Sequence, residues 1–248
     1  MNWSDEGIVL SARKHGENSL VVKLMTISHG SHAGLVRGGA GKKARGTYEP
    51  GNFVNIDWRA RIEEHLGNYV CELVAPNAAL ILDDPMKLAG LSSACAVTEC
   101  ALPEREPHPQ IYLSLKELIT TLIAKDFMEN YVSWEMGMLT ELGFGLDLSA
   151  CAATGSKDQL IYVSPKSGQA VSKSAGKPHQ KKMLPLPAFL TSDAETSGTP
   201  GLTELVSGLG LTGYFLKRHI FAYRKNGEPA ARTRLIDRLK HLATISCS

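Results

Sequence analysis

The chain has 248 residues, and its 43% apolar and 21% charged residues are typical of a folded protein rather than a disordered one. No apolar run approaches the ~18 residues of a membrane span. The first residues, which include Asp5 and Glu6, lack the apolar core of a signal peptide. Five cysteines without a CxxC pair are expected to be free thiols. These features predict a cytoplasmic protein with no membrane contact.

The net charge of +2 conceals a strong segregation of charge along the chain. When lysine and arginine are counted against aspartate and glutamate, residues 76–150 carry −7, whereas residues 151–182 carry +5 and residues 214–248 carry +6. The near-neutral total therefore does not exclude a polyanionic ligand. A site for such a ligand is expected at the ends of the chain rather than in its acidic middle.

Short apolar runs, separated by glycine, asparagine, serine and charged residues, fill the first third of the chain. They span residues 7–10, 20–27, 32–36, 53–58 and 68–74. Runs of this length without a longer helical repeat predict β-strands. Five such strands predict a small closed barrel, with an OB-fold as the leading candidate and a small β-sandwich as the alternative.

Helical periodicity begins after Pro76. Asp83-Asp84-Pro85 places a carboxylate at a helix N-cap and proline at the first helical position, and Pro103 is expected to end that helix. Apolar residues recur at helical spacing over residues 111–122, and a third helix is predicted over residues 127–142.

The remainder of the chain mixes a β-hairpin with helices. Strands are predicted over residues 159–163 and 169–171, joined by a turn. The basic segment 177–187 is predicted to be a loop, and 191–203 a linker. Helices are then predicted over residues 202–209, 214–223 and 230–242.

The expected fold class is α+β. A five-stranded OB-fold-like barrel in residues 1–75 precedes a mainly α-helical domain in residues 76–248, and that domain carries a small β-hairpin insertion at about residues 151–175. The barrel is the part expected to bind DNA, because loops of OB-folds commonly contact oligonucleotides.

Common catalytic and nucleotide-binding motifs are missing or incomplete. Residues 39–44 match GxGxxA, but that motif must open a helix, and Gly46 downstream predicts that none forms. The Walker A pattern fails because Lys43 stands where serine or threonine should follow the lysine. His29 and His32 have no HExxH or cysteine partner and are interpreted as turn residues. With no GxSxG motif either, the chain is predicted not to be an enzyme.

Residues 34–45, GLVRGGAGKKAR, are here called the basic segment. Like charges repel and glycine disfavours a helix, so the segment is expected to be either a solvated hairpin loop or a site for an anion. Nearby aromatic rings at Tyr48, Phe53 and Trp58 could stack on bases, although the last two would also suit a barrel core.

This pattern favours nucleic-acid binding. The predicted contact residues are Arg37, Lys42, Lys43, Arg45, Tyr48, Lys217, Arg218, Arg224 and Lys225. Further cations of the C-terminal segment are Arg232, Arg234 and Arg238.

Several longer stretches resemble the RecO family of bacterial recombination mediators. They are GLVRG with KKARGTYEPG (34–51), EMGMLTELGFGLDLSAC (135–151), YVSPKSG (162–168) and LPLP (184–187). The resemblance covers essentially the whole chain. It implies a non-enzymatic, nucleoid-associated DNA repair protein that binds single- and double-stranded DNA and anneals complementary strands. It also implies that the protein works with RecR and the single-strand-binding protein to load the recombinase RecA.

The chain departs from that family at one point. Many members carry a zinc site of two CxxC pairs, but here Cys151 is followed three positions later by Thr154, and the region of the second pair reads VSKS (171–174). One thiol cannot complete a tetrahedral structural zinc site. We therefore expect no zinc and no other cofactor, with the hairpin held by packing.

A protein–protein adaptor is the alternative function. In that reading the basic ends of the chain dock acidic tails of partner proteins, and the barrel is purely structural.

Overall fold

The computed structural model describes residues 1–124, 126–191 and 198–246, apart from the side chain of Lys43. The chain divides into two compact units. The first consists of Met1–Phe127 and Pro229–Leu235, and the second of Met128–Glu228 and Ile236–Ser248.

A five-stranded closed barrel opens the first unit and confirms the predicted OB-fold-like architecture over the β-sandwich alternative. Its strands are β1 (Asn2–His15), β2 (Ser19–Thr26), β3 (Gly30–Val36), β4 (Phe53–Arg59) and β5 (Asn68–Ala75). Their order around the barrel is β1-β2-β3-β5-β4, and β1 closes the ring by pairing with β4. Neighbouring strands are antiparallel except β3 and β5, whose parallel pairing is confined to Leu35 and Asn68.

Alternation along the strands places one side of each strand in the barrel core. In β4, for example, Val54, Ile56 and Trp58 are buried, whereas Asn55 and Asp57 between them are exposed. The buried core residues of the barrel are Val9, Leu20, Val22, Leu24, Val36, Tyr48, Val54, Ile56, Trp58 and Tyr69. The predicted strands therefore carry the apolar residues that close the barrel.

Among its described residues up to 127, the first unit also contains four α-helices. They are α1 (Lys42–Arg45), α2 (Asn77–Leu80), α3 (Pro85–Ala101) and α4 (Pro109–Ala124). The predicted start of α3 is confirmed, because the Asp84 carboxylate accepts hydrogen bonds from the backbone N–H groups of Met86 and Lys87, each at 3.0 Å. Helix α3 packs against β1, so the helices directly after the barrel belong to the same compact unit. A domain boundary at residue 75 stays a prediction.

Removing the cap of α3 has a measurable expected cost. We expect Asp84→Ala to lower the free energy of unfolding by about 1 kcal/mol, because two N–H groups of the first turn lose their acceptor. Asp83→Ala is the matched control, since Asp83 is exposed and α3 takes its cap from Asp84. Urea denaturation of both variants checks the prediction, and equal losses would contradict it.

Arg105 fastens a loop of the barrel. Its backbone is left-handed, with φ of 62°, and its N–H donates to the Ser31 carbonyl at 2.8 Å. Its guanidinium donates to three successive carbonyls of the β4–β5 loop, those of Glu63, Glu64 and His65. A residue beyond the barrel thus holds one of the barrel's own loops.

The second unit combines helices with a three-stranded sheet. Its described elements are α5 (Met128–Glu141), β6 (Leu160–Val163), β7 (Ala170–Ser172), α6 (Lys173–Gly176), β8 (Leu184–Pro185) and α7 (Leu202–His219). The last helix, α8 (Ala230–Ser246), contributes residues to both units. The predicted hairpin is present as β6 and β7. Among the described residues, no helix is both long enough and apolar enough to cross a membrane.

Two predictions for this unit were wrong. Segment 177–187 is not only a loop, because Leu184 and Pro185 pair with β6 as an edge strand, a position where proline is tolerated. The predicted helices 202–209 and 214–223 are not separate: α7 runs unbroken to His219, and Gly208 within it allows Phe189 and Val132 to approach closely. Part of the predicted linker, residues 192–197, lies outside the described residues.

Candidate nucleic-acid interface

The basic segment is the end of β3 and the start of the connection to β4. Because β3 and β4 are not neighbours in the barrel, this connection crosses between strands, so the alternative of a hairpin loop is wrong. The prediction that no helix forms is also wrong, since Lys42–Arg45 makes one helical turn and Gly46–Tyr48 continues as a 3-10 turn. Lysine, alanine and arginine favour a helix, and Gly38 and Gly41 precede the turn rather than lying inside it. A dinucleotide fold remains excluded, because no parallel β-α-β unit is built here.

The cations of the basic segment that the structure describes are exposed to solvent. Arg37 donates from Nε to the Asn68 side-chain oxygen at 3.2 Å, and the Arg45 side chain is 75% exposed. The Nε atom of Arg45 lies 3.9 Å from a Glu49 carboxylate oxygen, a surface pair that contributes little to stability. Lys42 is exposed as well, whereas the side chain of Lys43 lies outside the described residues. These guanidinium and ammonium groups are available to an anion.

Two aromatic residues near the segment, Tyr48 and Trp58, belong to the barrel core. Tyr48 is 7% exposed and Trp58 is 1% exposed, so neither ring can stack on a base from this position. Burial, together with the neighbouring Cys71 thiol, raises the pKa of Tyr48 to about 12. The predicted stacking role of Tyr48 is therefore corrected to a role in the core.

A groove beside the basic segment brings in cations that the sequence interpretation missed. Its volume is about 480 Å³. Its lining residues are Ser11, Ala12, Arg13, Lys14, Leu20, Ala40, Arg45, Tyr48, Glu49 and Pro50. The Arg13 side chain is 77% exposed, and its pairing with Glu99 is long, at 3.4 Å. The run Arg13-Lys14-His15 at the end of β1 was the available sequence signal.

The groove therefore joins cations from two distant stretches of sequence. Arg13 and Lys14 come from β1, and Arg45 comes from the one-turn helix α1. Apolar groups of Ala12, Leu20 and Pro50 line the space between them. Cations with an apolar floor suit the phosphates and the flat faces of a nucleic-acid strand. We call this set of lining residues the cationic groove.

The predicted C-terminal cations lie in the second unit. The Lys217 ammonium is 3.6 Å from a Glu228 carboxylate oxygen, and Arg218 donates a hydrogen bond to the Pro165 carbonyl. Arg224 and Lys225 are exposed between α7 and α8. Thus Lys217 and Arg218 are already engaged within the second unit.

Arg232 differs from its C-terminal neighbours. It is 1% exposed, so it cannot be a surface contact for DNA. Arg234 and Arg238 on the same helix are exposed. The inclusion of Arg232 among the C-terminal cations that could meet DNA is therefore corrected, because helical periodicity turns this arginine inward.

Two histidines of the first unit, His29 and His32, are held by other side chains. The His29 ring stacks on Trp3 with 4.0 Å between ring centroids, and its Nδ1 lies 2.9 Å from an Asp5 carboxylate oxygen. His32 is 3% exposed, and its Nδ1 lies 2.7 Å from the Tyr69 hydroxyl. Within the described residues, no group of three potential ligands could hold a metal ion. These contacts give both His29 and His32 a structural role.

Cys151 lies among hydroxyl groups rather than among other thiols. Its Sγ accepts from the Ser172 N–H at 3.2 Å, and the Ser172 hydroxyl lies 3.4 Å from both Cys151 Sγ and Ser174 Oγ. Burial raises the pKa of Cys151, but hydrogen bonds from Ser172 and Thr154 outweigh it and lower the pKa to about 6. One thiol with three hydroxyls does not fit a structural zinc ion.

Comparisons with known proteins match the chain from end to end. The family model described as Recombination protein O N terminal matches residues 1–76, and the model described as Recombination protein O C terminal matches residues 82–228. A protein named DNA repair protein RecO from Rhodospirillum centenum is 50% identical over 99% of this chain and 98% of the relative. Proteins of the same name from Rhodospirillum rubrum and Mesorhizobium japonicum are 46% and 45% identical, over 97% and 98% of this chain and 97% and 96% of the relatives.

Proposed function

Because the chain belongs to the RecO family of DNA repair and recombination proteins, we propose that its barrel binds single- and double-stranded DNA through the cationic groove and the basic segment. The observation that carries the proposal is the convergence of Arg13, Lys14 and Arg45 on one groove with an apolar floor. Phosphate contacts hold a strand without reading its bases, so binding is largely independent of sequence.

The family also supports the proposed cellular role. We propose that the protein anneals complementary strands and, together with RecR and the single-strand-binding protein, helps to load RecA. This role needs no catalytic group and no zinc, and the donor set around Cys151 supports the latter point. The proposed ligand is bacterial DNA, so the protein is expected to be associated with the nucleoid.

Salt dependence of DNA binding tests the proposal. Each phosphate contact on a single strand contributes about 0.7 to the slope of log affinity against log salt concentration, so replacing Arg37, Lys42, Lys43 and Arg45 with alanine should lower the slope by about 3. Adding Arg13→Ala and Lys14→Ala should lower it by a further ~1.4, if both contact phosphates. Fluorescence anisotropy with a labelled oligonucleotide measures both slopes.

Arg59→Ala with Arg61→Ala is the matched control. Both arginines are exposed on the first unit, and neither lines the cationic groove. Their replacement should leave the slope unchanged. Equal slopes for the wild type and the groove variants would show that these cations do not contact phosphates and are solvated surface groups. If the same variants instead lost binding to an acidic peptide, the protein–protein adaptor hypothesis would replace the DNA-binding hypothesis.

A further inference from the structure

The second unit presents one aromatic ring almost entirely to solvent. Tyr223 is 82% exposed, whereas Phe144 and Tyr214, the next most exposed of the described phenylalanine, tyrosine and tryptophan side chains, are each 38% exposed. A single exposed apolar residue is ordinary on a protein surface. The surroundings of Tyr223 distinguish it, because Arg224 and Lys225 follow it directly and both are exposed.

Buried residues hold the turn that carries this ring. Tyr223 ends a short 3-10 turn, Phe221–Tyr223, directly after α7. Ile220 and Phe221 are 6% and 1% exposed, so they anchor the turn in the second unit. The N–H groups of Tyr223 and Arg224 donate back to the carbonyls of Ile220 and Phe221, at 3.3 and 3.0 Å. We call residues 220–228 the Tyr223 turn.

An ion pair joins the two ends of the Tyr223 turn. The Lys217 ammonium, in the last turn of α7, lies 3.6 Å from a carboxylate oxygen of Glu228. Within the turn, the Gly227 N–H donates to the Arg224 carbonyl at 3.0 Å. A ring on a turn fixed in this way loses little conformational freedom when a ligand packs on it, and this favours binding.

Cations outnumber carboxylates around the ring. From Lys217 to Glu228 the chain carries four lysine and arginine side chains and one carboxylate. The Arg218 guanidinium donates one hydrogen bond to the Pro165 carbonyl and has further N–H donors. That bond ties the end of α7 to the β6–β7 turn, in which the next residue, Lys166, is exposed. The ring therefore lies in a basic part of the second unit.

We propose that the Tyr223 turn is a second DNA site, in which an unpaired base of a single strand stacks on the Tyr223 ring. Arg218, Arg224 and Lys225 hold the neighbouring phosphates. An aromatic face with adjacent cations is the usual combination for holding a single strand. The inference rests on the proposed DNA-binding function, but the site lies in the second unit and uses a different contact.

Stacking gives this site a preference that the cationic groove lacks. The described aromatic ring that lines that groove, Tyr48, is buried, so its contacts with DNA are mainly to phosphates, which single strands and duplexes share. In a duplex, the faces of the bases are covered by neighbouring base pairs. Tyr223 can therefore stack only on bases that are unpaired or at the end of a duplex.

An acidic peptide is the competing ligand for the same cations. An apolar peptide side chain binds well when a pocket encloses it, whereas Tyr223 offers one open, flat face. A nucleobase is flat and covers such a face by stacking. The shape of the exposed group thus favours a base over a peptide.

Replacement of the ring in the full chain tests the proposal. We expect Tyr223→Ala to weaken binding of a labelled oligothymidine by about fivefold or more, and to leave binding of a blunt duplex of the same length unchanged. Tyr223→Leu should behave like Tyr223→Ala, because it keeps apolar surface but not the planar ring, whereas Tyr223→Phe should bind like the wild type. Fluorescence anisotropy measures all four proteins with both probes.

Salt dependence and cross-linking locate the contact. Tyr223→Ala removes no phosphate contact, so it should lower the affinity without changing the salt slope, whereas Lys225→Ala should lower the slope by about 0.7. A single strand containing 5-iododeoxyuridine should cross-link to the Tyr223 turn on irradiation, as identified by mass spectrometry. Ile245→Ala is the matched control, since Ile245 is a 58% exposed apolar residue near the far end of α8. It should leave both affinities unchanged.

Three results would overturn the proposal. Tyr223→Ala could leave single-strand binding unchanged or weaken duplex binding equally. Tyr223→Leu could bind the single strand like the wild type, which would replace stacking with general apolar contact. Tyr223→Ala could weaken binding of a glutamate–leucine peptide but not of DNA, which would assign the turn to a protein partner.

Failure of the proposed barrel site gives a different pattern. In that case the groove variants keep the wild-type salt slope while Tyr223→Ala still weakens single-strand binding. If only the Tyr223 site fails, the groove variants lower the slope and Tyr223→Ala has no effect. A wild-type protein that binds neither probe would refute both.

Discussion

Replacing Gly30 with alanine is expected to lower the free energy of unfolding by at least about 3 kcal/mol. Two costs add. Gly30 has φ of +66°, where alanine is disfavoured, and an added Cβ would lie only 2.0 Å from the carbonyl oxygen of Glu106. The clash is with backbone, so no side-chain rotation relieves it. Urea denaturation followed by circular dichroism measures the loss.

Gly16→Ala is the matched control for this prediction. Gly16 has nearly the same conformation, with φ of +64°, but nothing lies within 4 Å of an added Cβ. Its replacement should therefore lower the free energy of unfolding by only about 1 kcal/mol, the cost of placing alanine in a left-handed backbone conformation. The difference between the two variants isolates the contact between β3 and the chain after α3. If Gly30→Ala and Gly16→Ala lowered the free energy of unfolding equally, the chain at Gly30 would not be packed closely against Glu106.

Lowering the pH from 6.5 to 4 is expected to destabilise the protein through His32 by up to roughly 3 kcal/mol. Burial, and to a smaller extent the nearby Arg105 cation, lowers the pKa of His32 to about 4 from its ordinary value of 6.5. Between these two values the unfolded chain binds a proton that the folded chain does not. Stability is therefore fully present above pH 6.5 and is lost as the pH falls toward 4.

The His32→Gln variant separates this effect from the titration of carboxylates. Glutamine keeps a polar partner for the Tyr69 hydroxyl but has no proton to gain in this range. Urea denaturation at several pH values should show a shallower loss of stability for His32→Gln than for the wild type. His15→Gln, at an exposed position, should follow the wild type. Parallel curves for wild type and His32→Gln would mean that another group carries the pH dependence.

The strands of the barrel and the helices after it were predictable because their signals are local. Alternation in β4 and the Asp84-Pro85 start of α3 depend only on neighbouring residues. The continuity of α7 was missed because Gly208 weakens a helix locally, whereas close packing by Phe189 and Val132 is a long-range effect. Strand β8 was missed because two residues carry no periodicity.

The candidate site was only partly predictable for a related reason. The charge of the basic segment is visible in the sequence, but Arg13 and Lys14 join it only because β1 runs past the one-turn helix α1. The aromatic ring of Tyr48 was assigned to DNA because sequence proximity says nothing about burial. Its place in the core follows from the packing of the Gly46–Tyr48 turn against β1 and β5, which only the fold reveals.

The hydrogen bonds from Arg105 to three carbonyls of the β4–β5 loop determine where this barrel could be separated from the rest of the chain. A fragment that ends at residue 76, the limit of the N-terminal family model, keeps all five strands but leaves that loop unfastened. It also uncovers Gly30, which Glu106 normally contacts. A chimera that exchanges barrels between relatives should therefore be joined after Phe127, so that each barrel keeps its own Arg105 and Glu106.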